Sequence, residues 1–156
     1  MSVKAPAVTV RAGDPRSPEG RALLAASHAY LASLYPPEHN HFLDVDALAA
    51  PRIAFMIAEA DGRALGCAAL ARMDGYAEIK SMYVDPAARG AGVGAALMDA
   101  LEALARREGI AWLRLETGDT LLAAQRLYAR HGFAPTAPFG GYAEGPHSVF
   151  MERRLA

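Results

Sequence analysis

The stretch Glu78–Gly109, EIKSMYVDPAARGAGVGAALMDALEALARREG, decides the reading of this chain. It reads as strand, glycine-rich turn and helix. Glu78 to Val84 is β-branched and aromatic enough for a strand, and Asp85-Pro86 stops it, because proline brings no ladder donor. Arg89-Gly90-Ala91-Gly92-Val93-Gly94 forms the turn. Val93, Leu97, Leu101 and Leu104 then share one helical face. Arg106 and Arg107 fall in the last turn, where cations favour the helix dipole, and Gly109 suits the position just past the end.

A helix that opens on glycines leaves backbone N–H groups unpaired and pointing one way, at the positive end of its dipole. Glycines let an anion approach the backbone without meeting a Cβ. Arg89 adds a charge and a fork of donors at the rim. The expected ligand carries a pyrophosphate. Three sites use such a turn. A P-loop requires a closing Gly-Lys-Ser/Thr, which is missing. Gly90-Ala91-Gly92-Val93-Gly94-Ala95 fits G-x-G-x-x-A, and Glu116 ends a later strand, as a dinucleotide fold asks. That fingerprint follows its strand directly, however, whereas Asp85 to Arg89 intervene here. A chain of 156 residues also lacks room for two mononucleotide halves. The third site uses the intervening residues: Val84-x-Pro86-x-x-Arg89-Gly90-x-Gly92-Val93-Gly94 resembles the acyl-coenzyme A loop of the GCN5-related N-acetyltransferases (GNAT).

The whole chain sets bounds. Its length suits a single domain, 1–156. It is 53% hydrophobic and 21% charged, with a net charge of −1, so electrostatics make no case for nucleic acid or an anionic membrane. The sequence lacks the apolar run of a signal peptide or of a membrane span, and the expected location is cytoplasmic. Cys67, the one cysteine, stands in an apolar stretch and reads as buried and inert. Its spacing to the five histidines makes no zinc pattern, and no metal is expected.

Elsewhere the pattern predicts a first strand over Val3–Val10 and a helix over Glu19–Leu34, capped by Ser17 or Asp14. A polar and aromatic break follows at Tyr35–His41, then a short helix over Asp44–Ala50. Ile53–Glu59 and Ala64–Arg72 form a hairpin about Asp61-Gly62. Asp74-Gly75 turns the chain into Glu78–Val84. Trp112–Glu116 is a strand that pairs parallel with it, since a helix connects the two. A helix over Thr120–Arg130 ends at Gly132, a strand begins at Phe133, and Ser148–Arg154 is the last strand.

This order resembles the GNAT fold over almost the whole length. Ala124-Gln125-Arg126-Leu127-Tyr128-Ala129-Arg130-His131-Gly132-Phe133 is similar to a second motif of the family, A-x-x-L-Y-x-x-x-G-F. Glu78-Ile79-Lys80-Ser81-Met82, Leu115-Glu116-Thr117-Gly118 and Ser148–Met151 look like a small bacterial subgroup. The resemblance implies an α/β (α+β) fold: a mixed, mostly antiparallel sheet with helices on both faces. It implies an acetyl-CoA-dependent N-acetyltransferase without a metal. Arg89, Gly90, Gly92, Val93, Gly94 and Ala95 match the pyrophosphate loop. Met82 and Val84 match the strand positions that pair with the pantetheine arm, beside a splay between two parallel strands. Tyr128 matches the residue that sets a hydroxyl near the coenzyme sulfur. One position departs from the family: Leu121 stands where many members carry asparagine, and Thr120 is the nearest substitute.

The implied reaction is direct attack of an amine on acetyl-CoA. An aliphatic amine of pKa ~10.4 needs a base, and the leaving thiolate needs a donor. Glu78 is the first candidate for the base, at the offset from Val84 where relatives carry a glutamate. The alternative is a strand-end carboxylate paired with Lys80 or solvated. Glu116 is second. Tyr128 is the proton donor, or else an aromatic that packs. Backbone N–H on the Met82 side would stabilise the oxyanion. The resemblance places the acceptor, a small-molecule or peptide amine, against the loop and helices after the first strand. Tyr35, His39, Phe139 and Tyr142 form its pocket if they converge. A non-catalytic acyl-CoA sensor is the rival, and the presence of Glu78 and Tyr128 weighs against it. A homodimer through the last strand is the expected form of any assembly.

Overall fold

The computed structural model describes residues 7–156. Seven strands form one sheet: β1 (Thr9–Ala12), β2 (Ile53–Ala60), β3 (Arg63–Arg72), β4 (Ala77–Val84), β5 (Trp112–Gly118), β6 (Ala134–Pro135) and β7 (Ser148–Arg154). Their spatial order is β1-β2-β3-β4-β5-β7-β6. Every neighbouring pair is antiparallel except β4 with β5. That parallel pair needs a crossover, and α3 (Val93–Arg107) supplies it. The other helices are α1 (Pro18–Leu34), α2 (Val45–Leu48) and α4 (Leu122–Arg130).

The period-2 alternation of β3 divides the molecule into two cores. Ala68 and Leu70 face α3 and pack with Val93, Leu97, Met98 and Leu101, while Tyr128 of α4 joins the same cluster. Cys67, Ala69 and Ala71 face the other way, against Leu23 and Leu24 of α1 and Leu48 of α2. Helices thus cover both faces, as expected. Burying each of these leucines contributes about 1.5–3 kcal/mol. Burial also pushes the Cys67 thiol up to about 12, so it stays an inert thiol.

Local chemistry sets the ends. Ser17 caps α1 by accepting from Gly20 N–H at 3.1 Å, and Asp44 caps α2 by accepting from Ala47 N–H at 2.7 Å. Asp61 and Gly62 have φ of 54° and 75°, as a two-residue hairpin turn requires. Past α3, Gly109 N–H donates to Arg106 and Ile110 N–H to Ala105, the paired bonds of a Schellman stop.

Three expectations need correction. The first strand runs over Thr9–Ala12 rather than Val3–Val10, because its partners are Glu59 back to Met56; positions 3–6 lie outside the described residues. Helix α4 starts at Leu122, not Thr120, because Thr120 is held by the Tyr35 hydroxyl. The strand after Phe133 is only Ala134–Pro135, and the proline confines it to the sheet edge. The last strand, β7, lies between β5 and β6.

Candidate active site

The parallel pairing of β4 and β5 covers Ala77↔Leu113, Glu78↔Arg114 and Ile79↔Leu115, then stops. The next rung would join Lys80 to Glu116. Instead the strands part there, and β4 also distorts against β3. Cys67 pairs with Tyr83 and Ala69 with Lys80, so Ser81 and Met82 stand opposite Ala68 alone. This is a bulge, with Ser81 at φ 56°, a sparsely populated conformation for a non-glycine residue. A cavity of about 120 Å³ opens at the splay. Its wall includes Ser27, Leu31 and Tyr35 from the α1 side and Leu121, Ala124 and Tyr128 from the α4 side. The cavity therefore passes through the sheet and joins its two faces.

Both carboxylates reach this cavity, in different states. Glu78 is buried and its Oε2 is engaged twice: it accepts from the Tyr142 hydroxyl at 2.6 Å and from Lys80 Nζ at 3.1 Å. Lys80 also donates to the Tyr142 oxygen at 2.7 Å, which closes a three-membered network. Glu116 makes no salt bridge among the described residues. It accepts one bond, from Ser148 Oγ at 3.0 Å, a diagonal neighbour across the β5–β7 register. Burial raises its pKa to about 7; the Ser148 bond and the Lys80 charge oppose that rise without cancelling it. Tyr128 is buried, and burial holds its phenol well above the ordinary range; its hydroxyl has no hydrogen-bond partner among the described residues. Met82 lines the cavity beside it.

The glycine turn folds as its sequence demands. Asp85 accepts from Ala87 N–H at 3.0 Å and caps a single 3₁₀ turn, Pro86–Ala88. Gly90 and Gly92 follow with φ of 85° and 81°, and a Cβ at either would meet nothing within 4 Å. Positive φ is therefore the reason for glycine at both. Gly92 is the N-cap of α3 and offers no side-chain cap, so the first N–H groups of the helix stay open to a ligand. Gly94 has a different reason. Its Cβ would lie 2.9 Å from Leu127 Cδ2, so the missing side chain lets α4 pack against the start of α3.

The expected aromatic pocket divides in two. His39 stands edge-on to His147 at 5.1 Å, with the Tyr35 ring 5.3 Å from His147. Tyr35 lines the cavity, but its hydroxyl is committed: it lies 2.5 Å from Thr120 Oγ1 and accepts from Thr120 N–H at 3.1 Å. A Cβ on Gly118 would fall 2.1 Å from that hydroxyl. Tyr35 is thus a brace beneath the β5–α4 turn, and Thr120 is tied to it. Tyr142 is likewise committed to Glu78, and its ring packs with Phe139 and Phe150 rather than lining the cavity. Sequence reading missed the bulge, the Tyr142–Glu78 bond and Ser148. A serine at positive φ leaves no signal, and the other two depend on the course of the long segment between β6 and β7.

A splayed parallel pair, a glycine turn opening the crossover helix and a cavity lined by two carboxylates and a tyrosine thus stand together in one region of the molecule. The model of the acetyltransferase (GNAT) family matches residues 21–133, and the chain belongs to that family of acyltransferases. It is 41% identical to an IAA acetyltransferase of Azospirillum brasilense, over 96% of this chain and 99% of that one. It is 34% identical to the uncharacterised N-acetyltransferase YsnE of Bacillus subtilis, over 87% and 94%. A solved structure from Klebsiella pneumoniae, named as a candidate acyl-CoA N-acyltransferase, shares 34% identity and superposes with a TM-score of 0.81 over 96% of this chain and 98% of that one. Among the described residues no helix is long and apolar enough to cross a membrane.

Proposed function

We propose that the chain is a single N-acetyltransferase domain that moves acetyl from acetyl-CoA to a small-molecule amine by direct attack within a ternary complex. The cavity through the sheet carries this reading, because it joins the Met82–Tyr128 side to Glu116. The pyrophosphate of acetyl-CoA sits on the open N–H groups of Gly92 to Ala95, with Gly90 giving room and Arg89 at the rim. The pantetheine arm runs along Met82 and Val84, where β4 has lost β5 as a partner.

Glu116 is the base. It lines the cavity with one oxygen unpartnered among the described residues, and a carboxylate of pKa about 7 is suited to take a proton near neutrality. Glu78 serves the site as the buried carboxyl group that holds Lys80 and Tyr142. In the reaction the amine nitrogen attacks the acetyl carbonyl carbon, and its surplus proton passes to Glu116. The carbonyl oxygen gathers charge against backbone N–H at the bulge, on the Met82 side. The C–S bond then breaks, and the departing thiolate accepts a hydrogen bond from the Tyr128 hydroxyl and takes its proton from solvent. A phenol with a raised pKa keeps its own proton throughout and serves as that donor. Cys67 takes no part, since its buried thiol donates to Ser81 O at 3.4 Å.

Calorimetric titration with acetyl-CoA, with NAD as control, tests the reading. Saturable binding of acetyl-CoA alone is expected, followed by thiol release on addition of an acceptor amine. Absence of acetyl-CoA binding would sink it.

A further inference from the structure

Lys80 is the one lysine or arginine among the described residues that line the cavity. Its side chain is only 11% exposed. An ammonium has three donors. Two are engaged, with Glu78 Oε2 and the Tyr142 oxygen. The third has no acceptor among the described residues, and tetrahedral geometry directs it away from the other two. A donor on a largely buried cation gains most from an acceptor that displaces water, so what fills the cavity is selected to accept from it.

Across the gap, on the first unpaired rung, stands Glu116 with one oxygen on Ser148 and the other without a partner among the described residues. A ligand that spans the splay therefore meets a cation on β4 and a carboxylate on β5. Glu78 does not repel an anion at Lys80 strongly, because Tyr142 and Lys80 both donate to its Oε2. At about 120 Å³ the cavity has room for the reacting end of an acceptor. We propose that the acceptor is a small amino-acid-like compound, with its amine at Glu116 and its carboxylate on the third donor of Lys80. This rests on the acetyl-transfer reading above and names the acceptor class.

Matched pairs of acceptors test it on the whole wild-type protein: phenylalanine against phenethylamine, and tryptophan against tryptamine. Thiol release from acetyl-CoA gives kcat/KM, and calorimetry on the coenzyme-loaded protein gives acceptor binding. The carboxylated member is expected to win by about 10- to 100-fold, the factor of one charge-assisted hydrogen bond. In Lys80→Met the ratio within each pair is expected to fall toward one. That ratio is internally normalised, so a general loss of activity leaves it readable. Equal or better use of the decarboxylated amines by the wild type overturns the proposal while the acetyltransferase reading stands. So does a coenzyme-loaded protein that neither binds nor acetylates any carboxylated member. If acetyl-CoA itself fails to bind, the underlying reading falls, and the proposal with it.

Discussion

At the glycine turn the groups that await an anion are backbone N–H donors, and no side chain caps them. In the cavity at the splay the polar groups are mainly side chains: Glu78, Lys80, Glu116, Thr117 and Tyr128, with Tyr142 and Ser148 behind them. The first arrangement is fixed by φ and by helix geometry, so it tolerates side-chain change wherever the backbone survives. The second depends on individual atoms drawn from β4, β5, β7 and the segment before β7. Single substitutions should therefore be severe in the cavity and mild at the turn.

The sharpest contrast is at Glu116. Glu116→Gln keeps the shape and the Ser148 contact but removes the base, and kcat is expected to fall roughly 100- to 10,000-fold. In the wild type kcat/KM should rise with pH through about 7, as Glu116 loses its proton, and this limb should vanish in the variant. The stability sign follows from the same shift. A carboxyl raised from its ordinary 4.5 to about 7 binds its proton more tightly when folded, so the wild type loses stability as pH rises between those values. Glu116→Gln removes that slope, and chemical denaturation at pH 5 and pH 8 should show the variant gaining on the order of 1–2 kcal/mol at the higher pH. An activity profile unchanged in the variant would return the base to Glu78.

Tyr128 comes next. Tyr128→Phe is expected to lower kcat by about 100-fold while the affinity for acetyl-CoA holds, because the ring still packs against Phe133. Equal losses in both would make the residue a packing element and leave the thiolate without a side-chain donor.

The brace under the β5–α4 turn should show in stability more than in chemistry. Gly118→Ala forces a methyl onto the Tyr35 hydroxyl, and overpacking of this kind costs about 1–3 kcal/mol. Placed on Tyr35→Ala, the same change should cost much less, and the non-additivity measures the contact. Additive costs would show that the strain lies elsewhere in the turn.

The same division explains what the sequence let one see. Turn, helix and strands are local matters: Gly92 before Val93, the Leu97–Leu101 face and Asp61-Gly62 each declare themselves within a few positions. The parallel pairing of β4 with β5 follows from a helical connection. The Glu116 environment is not local. It needs Ser148 from β7, Lys80 from β4 and a ladder that ends after Ile79. Tyr35 and Tyr142 looked like pocket aromatics by composition, yet their hydroxyls are taken by Thr120 and Glu78, partners 85 and 64 positions away. Ser81 at φ 56° is set by its register against β3 and has no residue signature.

The smallest effect is expected at Arg89, the charged residue of the glycine turn. Its side chain is exposed, so solvent and salt screen whatever it contributes to a bound pyrophosphate. An exposed charge pair is worth about 0.2–1 kcal/mol, so Arg89→Ala should weaken acetyl-CoA binding by no more than about fivefold at low salt. The gap between variant and wild type should close as salt is raised, because the N–H groups at the start of α3 remain. Calorimetric titrations at two ionic strengths check this. A loss of binding that persists at high salt would mean that the guanidinium holds the anion by direct, fixed hydrogen bonds. The turn would then be a side-chain site like the cavity, and the contrast between the two regions would fail at its coenzyme end.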